Sequence, residues 1–316
     1  MAEFQGPDQN SAPLLAAIDL GSNSFHLIIA RIEQGQICPV EREGKKIQLA
    51  ANMVDGSLDP SAIARGLICM QGYRQMLDRH PPVQIRVVGT NALRVAQNSH
   101  IFTDAASEIL GCEVEVIAGR EEARLIYIGA AHALDDEKGS RLLIDIGGGS
   151  TEFIIGQGFQ SHLLESLHLG CVTYMDRFFG EGIVTPGRFI DAYSAARAEL
   201  ESIVPDYKAM GWQTCVGSSG TLQAIEGVLA AQGWCEEGIG VEGLLRLRSL
   251  LERSEHIDNI QLPGLKRARR GVIVSGVAIT CAIFDAFNIS HMVISSGALR
   301  EGIIYDLFGG KRPATK

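Results

Sequence analysis

The chain has 316 residues, 46% of them hydrophobic and 21% charged, with a formal net charge of −9. That length exceeds what one core usually holds, so two domains are expected, and the composition excludes extensive disorder. The acidic balance argues against nucleic acid or an anionic membrane as a partner, but leaves room for an anion held in a locally positive or amide-lined cleft.

The opening "MAEFQGPDQNSAP" has no basic segment followed by an apolar one. It is therefore not a secretory signal, and a cytoplasmic location is expected. "LLAAIDLG" and "SFHLIIARI" read as two strands joined by a tight turn, and "CPVEREGKKIQLA" continues the sheet. "DPSAIARGLICMQGYRQMLDRH" carries Ile63, Leu67, Met70 and Leu77 at helical spacing, with Asp59 as cap and Pro60 in the first turn. "VQIRVVGT" is a strand entering the helix "NALRVAQ", and "CEVEVIAG" is a strand feeding the helix "REEARLIYIGAAHAL".

After the polar stretch "DDEKGSR" the pattern restarts with the strand pair "LLIDIGGG" and "STEFIIGQ". A helix is expected near "GRFIDAYSAARAELESIV". "TCVGSSG" reads as a strand and turn opening the helix "TLQAIEGVLAA". "GVIVSGVAITCAIFDAF" is too short and too rich in small and polar residues to span a bilayer, and reads as a buried helix. "HMVISSGALREGIIYDLFGG" ends the chain as strand, small-residue turn and helix, and "GGKRPATK" reads as a frayed end. The seven cysteines (Cys38, Cys69, Cys112, Cys171, Cys215, Cys235, Cys281) show no metal-ligand spacing and read as reduced thiols.

One segment occurs nearly twice. "IDLGSNSFHLII" and "IDIGGGSTEFII" align on Asp19 and Asp145, an offset of 145 − 19 = 126 residues. Such a repeat points to duplication, with two α/β domains meeting near residues 131–140 and the two turns facing each other across a cleft. A turn of Gly, Ser and Asn aims several amide N–H groups into one concavity suited to anionic oxygen. Gly21, Gly147, Gly148 and Gly149 permit the torsions and the close approach. Ser22, Asn23, Ser24 and Ser150 add polar side chains. Asp19 and Asp145 would repel phosphate unless a divalent cation sat between carboxylate and phosphate oxygens.

"DLGSNSFHLIIARI", "GTNALR", "GREEARLI", "DIGGGSTEFIIG", "GSSGT" and "SSGALREGIIYD" together resemble the exopolyphosphatase and guanosine pentaphosphate phosphohydrolase family of the actin-like superfamily. The resemblance runs from about residue 14 to 308. It implies an α/β fold of two actin-like (ribonuclease H-like) domains with an interdomain cleft, divided as residues 12–131 and 132–312, the last helix packing back on the first domain. It also implies metal-dependent hydrolysis of a phosphoric anhydride, with Mg²⁺ as cofactor, K⁺ as a candidate activator and a homodimer as a candidate assembly. Longer members append a helical domain, so the chain is expected to be a short member or the front part of a long one.

Water attacking a terminal phosphoryl group needs positioning, charge neutralisation and a base. On a helix Glu122 shares a face with Leu125, Ile126 and Gly129, whereas Glu121 turns toward Arg124. Glu122 is also the family's catalytic glutamate, directly before the alanine, and is expected to be the base. Asp145 is assigned to Mg²⁺, and Glu152 to Mg²⁺ or water positioning. Glu152 is expected to face the same side as Ser150. His26 occupies the matching place in the first turn and reads as a packed or hydrogen-bonded histidine. Thr90 and Arg94, at a helix start, suit phosphate oxygens. "GSSGT", with Gly217, Ser218 and Ser219, is expected along the path of the chain. In "GLKRARRG", Arg269 matches a basic family position and is expected to touch phosphate, while Lys266 and Arg267 read as a solvated face. Lys45 and Lys46 are plausible contacts without specificity.

The expected function is an exopolyphosphatase acting on inorganic polyphosphate. The alternatives are hydrolysis of guanosine pentaphosphate, an actin-like kinase or ATPase, and a non-catalytic sensor of polyphosphate or alarmone.

Overall fold

The computed structural model describes residues 12–134 and 139–309. The expected frayed end, most of the N-terminal stretch, and part of the polar stretch between the repeats lie outside the described residues.

In the first half, β1 (Leu15–Leu20), β2 (Ser24–Glu33) and β3 (Gln36–Lys46) form an antiparallel meander. Helix α1 (Pro60–Arg79) leads to β4 (Gln84–Gly89). The short α2 (Asn91–Val95) and α3 (Ser99–Leu110) precede β5 (Val114–Val116), and α4 (Gly119–Ala133) closes the half. The sheet order is β3-β2-β1-β4-β5, with β1, β4 and β5 parallel. β1 is an almost unbroken apolar run because both its faces are covered. Asp59 caps α1 by accepting from the Ser61 and Ala62 amides, and Pro60 occupies the first turn.

The second half repeats the order. β6 (Ser140–Ile146), β7 (Thr151–Gln157) and β8 (Gln160–Leu167) form the meander. Helices α5 (Cys171–Phe178), α6 (Pro186–Leu200) and α7 (Val204–Met210) lead to β9 (Thr214–Gly217). Then follow α8 (Gly220–Ala231), β10 (Ile239–Gly240), α9 (Val241–Leu251), α10 (Ile273–Phe287), β11 (His291–Ile294) and α11 (Leu299–Leu307). The order β8-β7-β6-β9-β11 matches the first sheet strand for strand, with β10 added beyond β11. This doubled 3-2-1-4-5 arrangement is the expected pair of actin-like, ribonuclease H-like α/β units.

Three apolar clusters hold the molecule. One lies under the second sheet against α6, α8, α9 and α10. One packs α1 and α3 on the first sheet. The third joins Leu15, Ala17 and Ile28 of the first sheet to Leu143, Ile154 and Val216 of the second through α4 and α11. Helix α11 reaches α4 closely because both carry glycine at the crossing: a Cβ at Gly129 would sit 2.7 Å from the Gly302 nitrogen. The start of α11 is thereby held over the junction of the two sheets.

The argument from helix length is corrected. With the 3₁₀ turn Arg267–Val272, the helical run is 21 residues long and contains an 18-residue stretch of mean hydropathy 1.6, enough by length and composition to cross a bilayer. Burial decides its role instead: every residue of α10 except Asp285 is enclosed by the protein.

Candidate active site

The parallel strands of each sheet end at one place. The loops after β1, β4, β6, β9 and β11 all line a single cavity of about 200 Å³ between the sheets, as ligand sites in such sheets do. The two glycine turns face each other there and touch. A Cβ on Gly148 would lie 2.9 Å from the Ser22 Cβ, and one on Gly149 would collide with the Asn91 amide. The equivalence extends into the strands: Asp19 pairs with His26 across β1 and β2 as Asp145 pairs with Glu152 across β6 and β7.

Asp19, Gly21, Ser22, Asn23, Ser24, Thr90, Glu122, Asp145, Gly147, Gly148, Gly149, Ser150, Ser219 and Arg269 all line the cavity. Glu122 lies on the buried stripe of α4 with 7% of its surface exposed. Glu121 faces away and pairs with Arg124 at 2.8 Å. Burial, with Glu152 nearby, holds the Glu122 carboxyl well above the usual carboxylate range, against the pull of Arg94. Burial likewise lifts Asp145, with Glu152 adding to the effect and the Ser218 hydroxyl opposing it. Burial raises Asp19 to about 7, with Arg300 opposing and Glu301 reinforcing. Desolvation disfavours each charged form, and the acids disfavour one another's ionisation.

Some expected contacts stand elsewhere. Glu152 is 1% exposed and does not line the cavity; its Oε1 accepts from Ser150 Oγ at 2.7 Å and Ser166 Oγ at 2.8 Å. It stands behind Ser150 rather than beside it. Arg94 is also behind the wall: its Nη1 donates to the Ile117 carbonyl and to Glu122 Oε2 at 3.2 Å, so the guanidinium holds the glutamate instead of facing the cavity. Gly217 ends β9 packed against Met292, Ile294 and Leu222, and Ser218 is enclosed, donating to the Gly297 carbonyl. Of "GSSGT" it is Ser219, Gly220 and Thr221 that reach the cavity. Lys45 and Lys46 are exposed on β3 and do not line it, and Lys266 and Arg267 are exposed.

The structure adds Asn91, His26, Ser296 and Arg300 to the wall. Arg300 and Ser296 belong to "SSGALREG", a stretch the sequence singled out without assigning a role to either residue. Asn91 sits inside "GTNALR". Asp19 Oδ1, Asn23 Oδ1 and Asn91 Nδ2 are buried without a hydrogen-bond partner among the described residues. Buried polar atoms are rarely left so, and these three come from the end of β1, the turn after it and the start of α2. The arrangement gathers glycine-turn backbone, hydroxyls and carboxyls of raised proton affinity around one cavity, a chemistry suited to anionic oxygen.

Comparison with known proteins agrees with this geometry. A family model described as the Ppx/GppA phosphatase family matches residues 28–310. Guanosine-5'-triphosphate,3'-diphosphate pyrophosphatases of Aeromonas hydrophila and Photobacterium profundum are 43% and 41% identical over 301 and 302 residues, 95% of this chain and 60% of theirs. The chain thus spans about three fifths of the length of these curated relatives. Among solved structures, an exopolyphosphatase from Cytophaga hutchinsonii superposes with a TM-score of 0.85 at 24% identity, covering 94% of this chain and 98% of that one. The Aquifex aeolicus PPX-GPPA enzyme superposes with a TM-score of 0.75 at 24% identity, over 93% and 99%. At that identity the likeness speaks to the fold.

Proposed function

Because the chain belongs to the Ppx/GppA phosphatase family, we propose that it hydrolyses a phosphoanhydride bond of guanosine pentaphosphate, giving guanosine tetraphosphate and inorganic phosphate. The observation that carries the chemistry is the buried Glu122 carboxyl at the floor of an amide-lined cavity. The substrate follows from relatives at 41–43% identity that are named for it. These names support guanosine pentaphosphate, the alternative in the sequence reading, over polyphosphate; the motifs themselves do not separate the two. Inorganic polyphosphate is the second reading, favoured by one observation: no Phe, Tyr or Trp lines the cavity among the described residues.

In the proposed reaction a water oxygen attacks the terminal phosphorus as Glu122 takes the water proton. The bridging oxygen leaves with the electron pair of the broken P–O bond. Burial raises the proton affinity of the Glu122 carboxyl, which makes its ionised form a stronger base than an ordinary carboxylate, and Arg94 fixes its orientation through Oε2. Amides of the two turns face the phosphoryl oxygens, where charge accumulates. Arg269 adds a cation from beside Gly220.

The residues present fit a divalent cation. Asp19 Oδ1 is a buried carboxylate oxygen without a partner, and Asp145 lies across the cavity from it on the matching strand. Among the described residues no three His, Cys, Asp or Glu form a ready cage. Mg²⁺ does not require one, since it takes one or two carboxylates and completes its shell with phosphate oxygens and water. Asp19 and Asp145 would hold it, Glu152 supporting from behind Ser150, and the ion would neutralise phosphate charge.

The test measures phosphate released from guanosine pentaphosphate and from long polyphosphate with Mg²⁺. Faster release from the first is expected. Release from polyphosphate alone would exchange the two readings, and saturable binding without release from either would leave a sensor.

A further inference from the structure

We propose that Arg300 grips the substrate's phosphate chain from the first-turn side of the cavity, and that His26 is the residue that positions it. The proposal rests on the phosphoanhydride reading above and adds a contact to it.

Arg300 is the second residue of α11, the helix held over the sheet junction by the Gly129–Gly302 crossing. Its side chain is 26% exposed and lines the cavity. Its one hydrogen bond among the described residues runs from Nη1 to His26 Nδ1 at 3.3 Å. The neighbouring carboxylate does not consume it. Glu301 Oε1 lies 3.8 Å from Arg300 and 3.7 Å from Arg42, both beyond hydrogen-bond reach, while Glu301 Oε2 accepts from the Ala298 amide at 3.1 Å. A guanidinium has five N–H donors in one plane, so most of this fork remains for an anion.

The orienting partner is built into the sheet. His26 stands opposite Asp19, and residues opposite each other across two strands share a face. Its ring lies over Gly44 of β3, where a Cβ would approach Nδ1 to 2.7 Å. The duplicated half fills the same cross-strand slot with Glu152, whose carboxyl accepts from two hydroxyls. A carboxylate at position 26 would pair with Arg300 and withdraw it from any external anion. A neutral imidazole accepts one hydrogen bond and leaves the charge of the arginine available. Arg269, beside Gly220, is a second arginine lining the same cavity.

The experiment uses the whole chain with Mg²⁺. Phosphate release from guanosine pentaphosphate is measured, together with calorimetric binding of inorganic tripolyphosphate. Arg300→Ala is expected to raise KM and weaken tripolyphosphate binding by about 10- to 100-fold, the range of a charge-assisted contact. Added guanidinium ion at tens of millimolar is expected to recover part of the loss. His26→Glu, which keeps Arg300 but pairs it internally, should weaken binding by a similar order, and His26→Gln, which keeps an acceptor, by less than about threefold. Tripolyphosphate affinity within about twofold of the unaltered chain in Arg300→Ala, or in His26→Glu should the first variant not fold, overturns the proposal. Failure of the unaltered chain to release phosphate from any substrate would instead count against the functional reading, and tripolyphosphate binding would still decide the role of Arg300.

Discussion

Replacing Asp19 by Asn should flatten the dependence of stability on pH. Burial raises the Asp19 carboxyl from 3.8 to about 7, despite Arg300. A carboxyl raised on folding is held more readily protonated in the folded state. Its contribution is therefore complete below pH 3.8 and is lost as pH climbs through about 7. The interval, converted at about 1.4 kcal/mol per pH unit, comes to about 4 kcal/mol as an upper bound. The cavity is open to water at its mouth, so about half of that is expected. Asn keeps the shape and cannot ionise. In a chelating buffer, thermal unfolding followed from pH 5 to 8.5 should show the unaltered chain falling further than Asp19→Asn, leaving the variant about 4 °C more stable at the alkaline end. The direction matters: an aspartate stabilised by an ion pair would give the opposite crossing. Parallel curves, or a variant less stable at pH 8.5, would refute the argument that this carboxyl is buried against its own ionisation.

Glu122→Gln should lower kcat for phosphate release by about 10²- to 10⁴-fold while tripolyphosphate binding changes little, as loss of a general base does; kcat within about threefold would remove Glu122 from that role. Gly149→Ala drives a Cβ into the Asn91 amide and to 3.1 Å from Ser22 Oγ. It should cost about 1–3 kcal/mol in urea unfolding and raise KM. Removing divalent cations should abolish phosphate release. Restoring Mg²⁺ should bring release back and raise the unfolding temperature at pH 8, because a ligand bound to the folded state stabilises it; a temperature indifferent to Mg²⁺ would speak against carboxylate ligation.

Much of this protein was legible before any coordinates, because its signals are short-range. A turn of small residues between two apolar runs makes a strand pair wherever it occurs, and its recurrence 126 residues later announced two like sheets. The 3.6-residue period separated Glu122 from Glu121 in "REEARL", and the structure places them as that period requires. The period of a strand was less informative. It put Glu152 on the side of Ser150, but depth along that direction depends on what else reaches the same point, here the Ser166 hydroxyl from β8. Arg94 misled for a similar reason: a guanidinium near a phosphate site points to the nearest buried carboxylate, and Glu122 was 28 residues away in sequence.

What the chain alone determined is therefore local: which segments are strands, which turns can expose amides, which carboxylate of a pair looks inward. Backbone stereochemistry and side-chain periodicity act over a few residues and leave their mark on composition. What only the folded molecule decided is which charges meet. His26 and Arg300 are 274 positions apart and approach because α11 crosses α4 glycine to glycine. The carboxyls of Asp19, Glu122, Asp145 and Glu152 acquire their raised proton affinity only when two sheets close around them, since desolvation, joined for the first three by repulsion from neighbouring acids, depends on the whole enclosure rather than on any residue's neighbours in sequence.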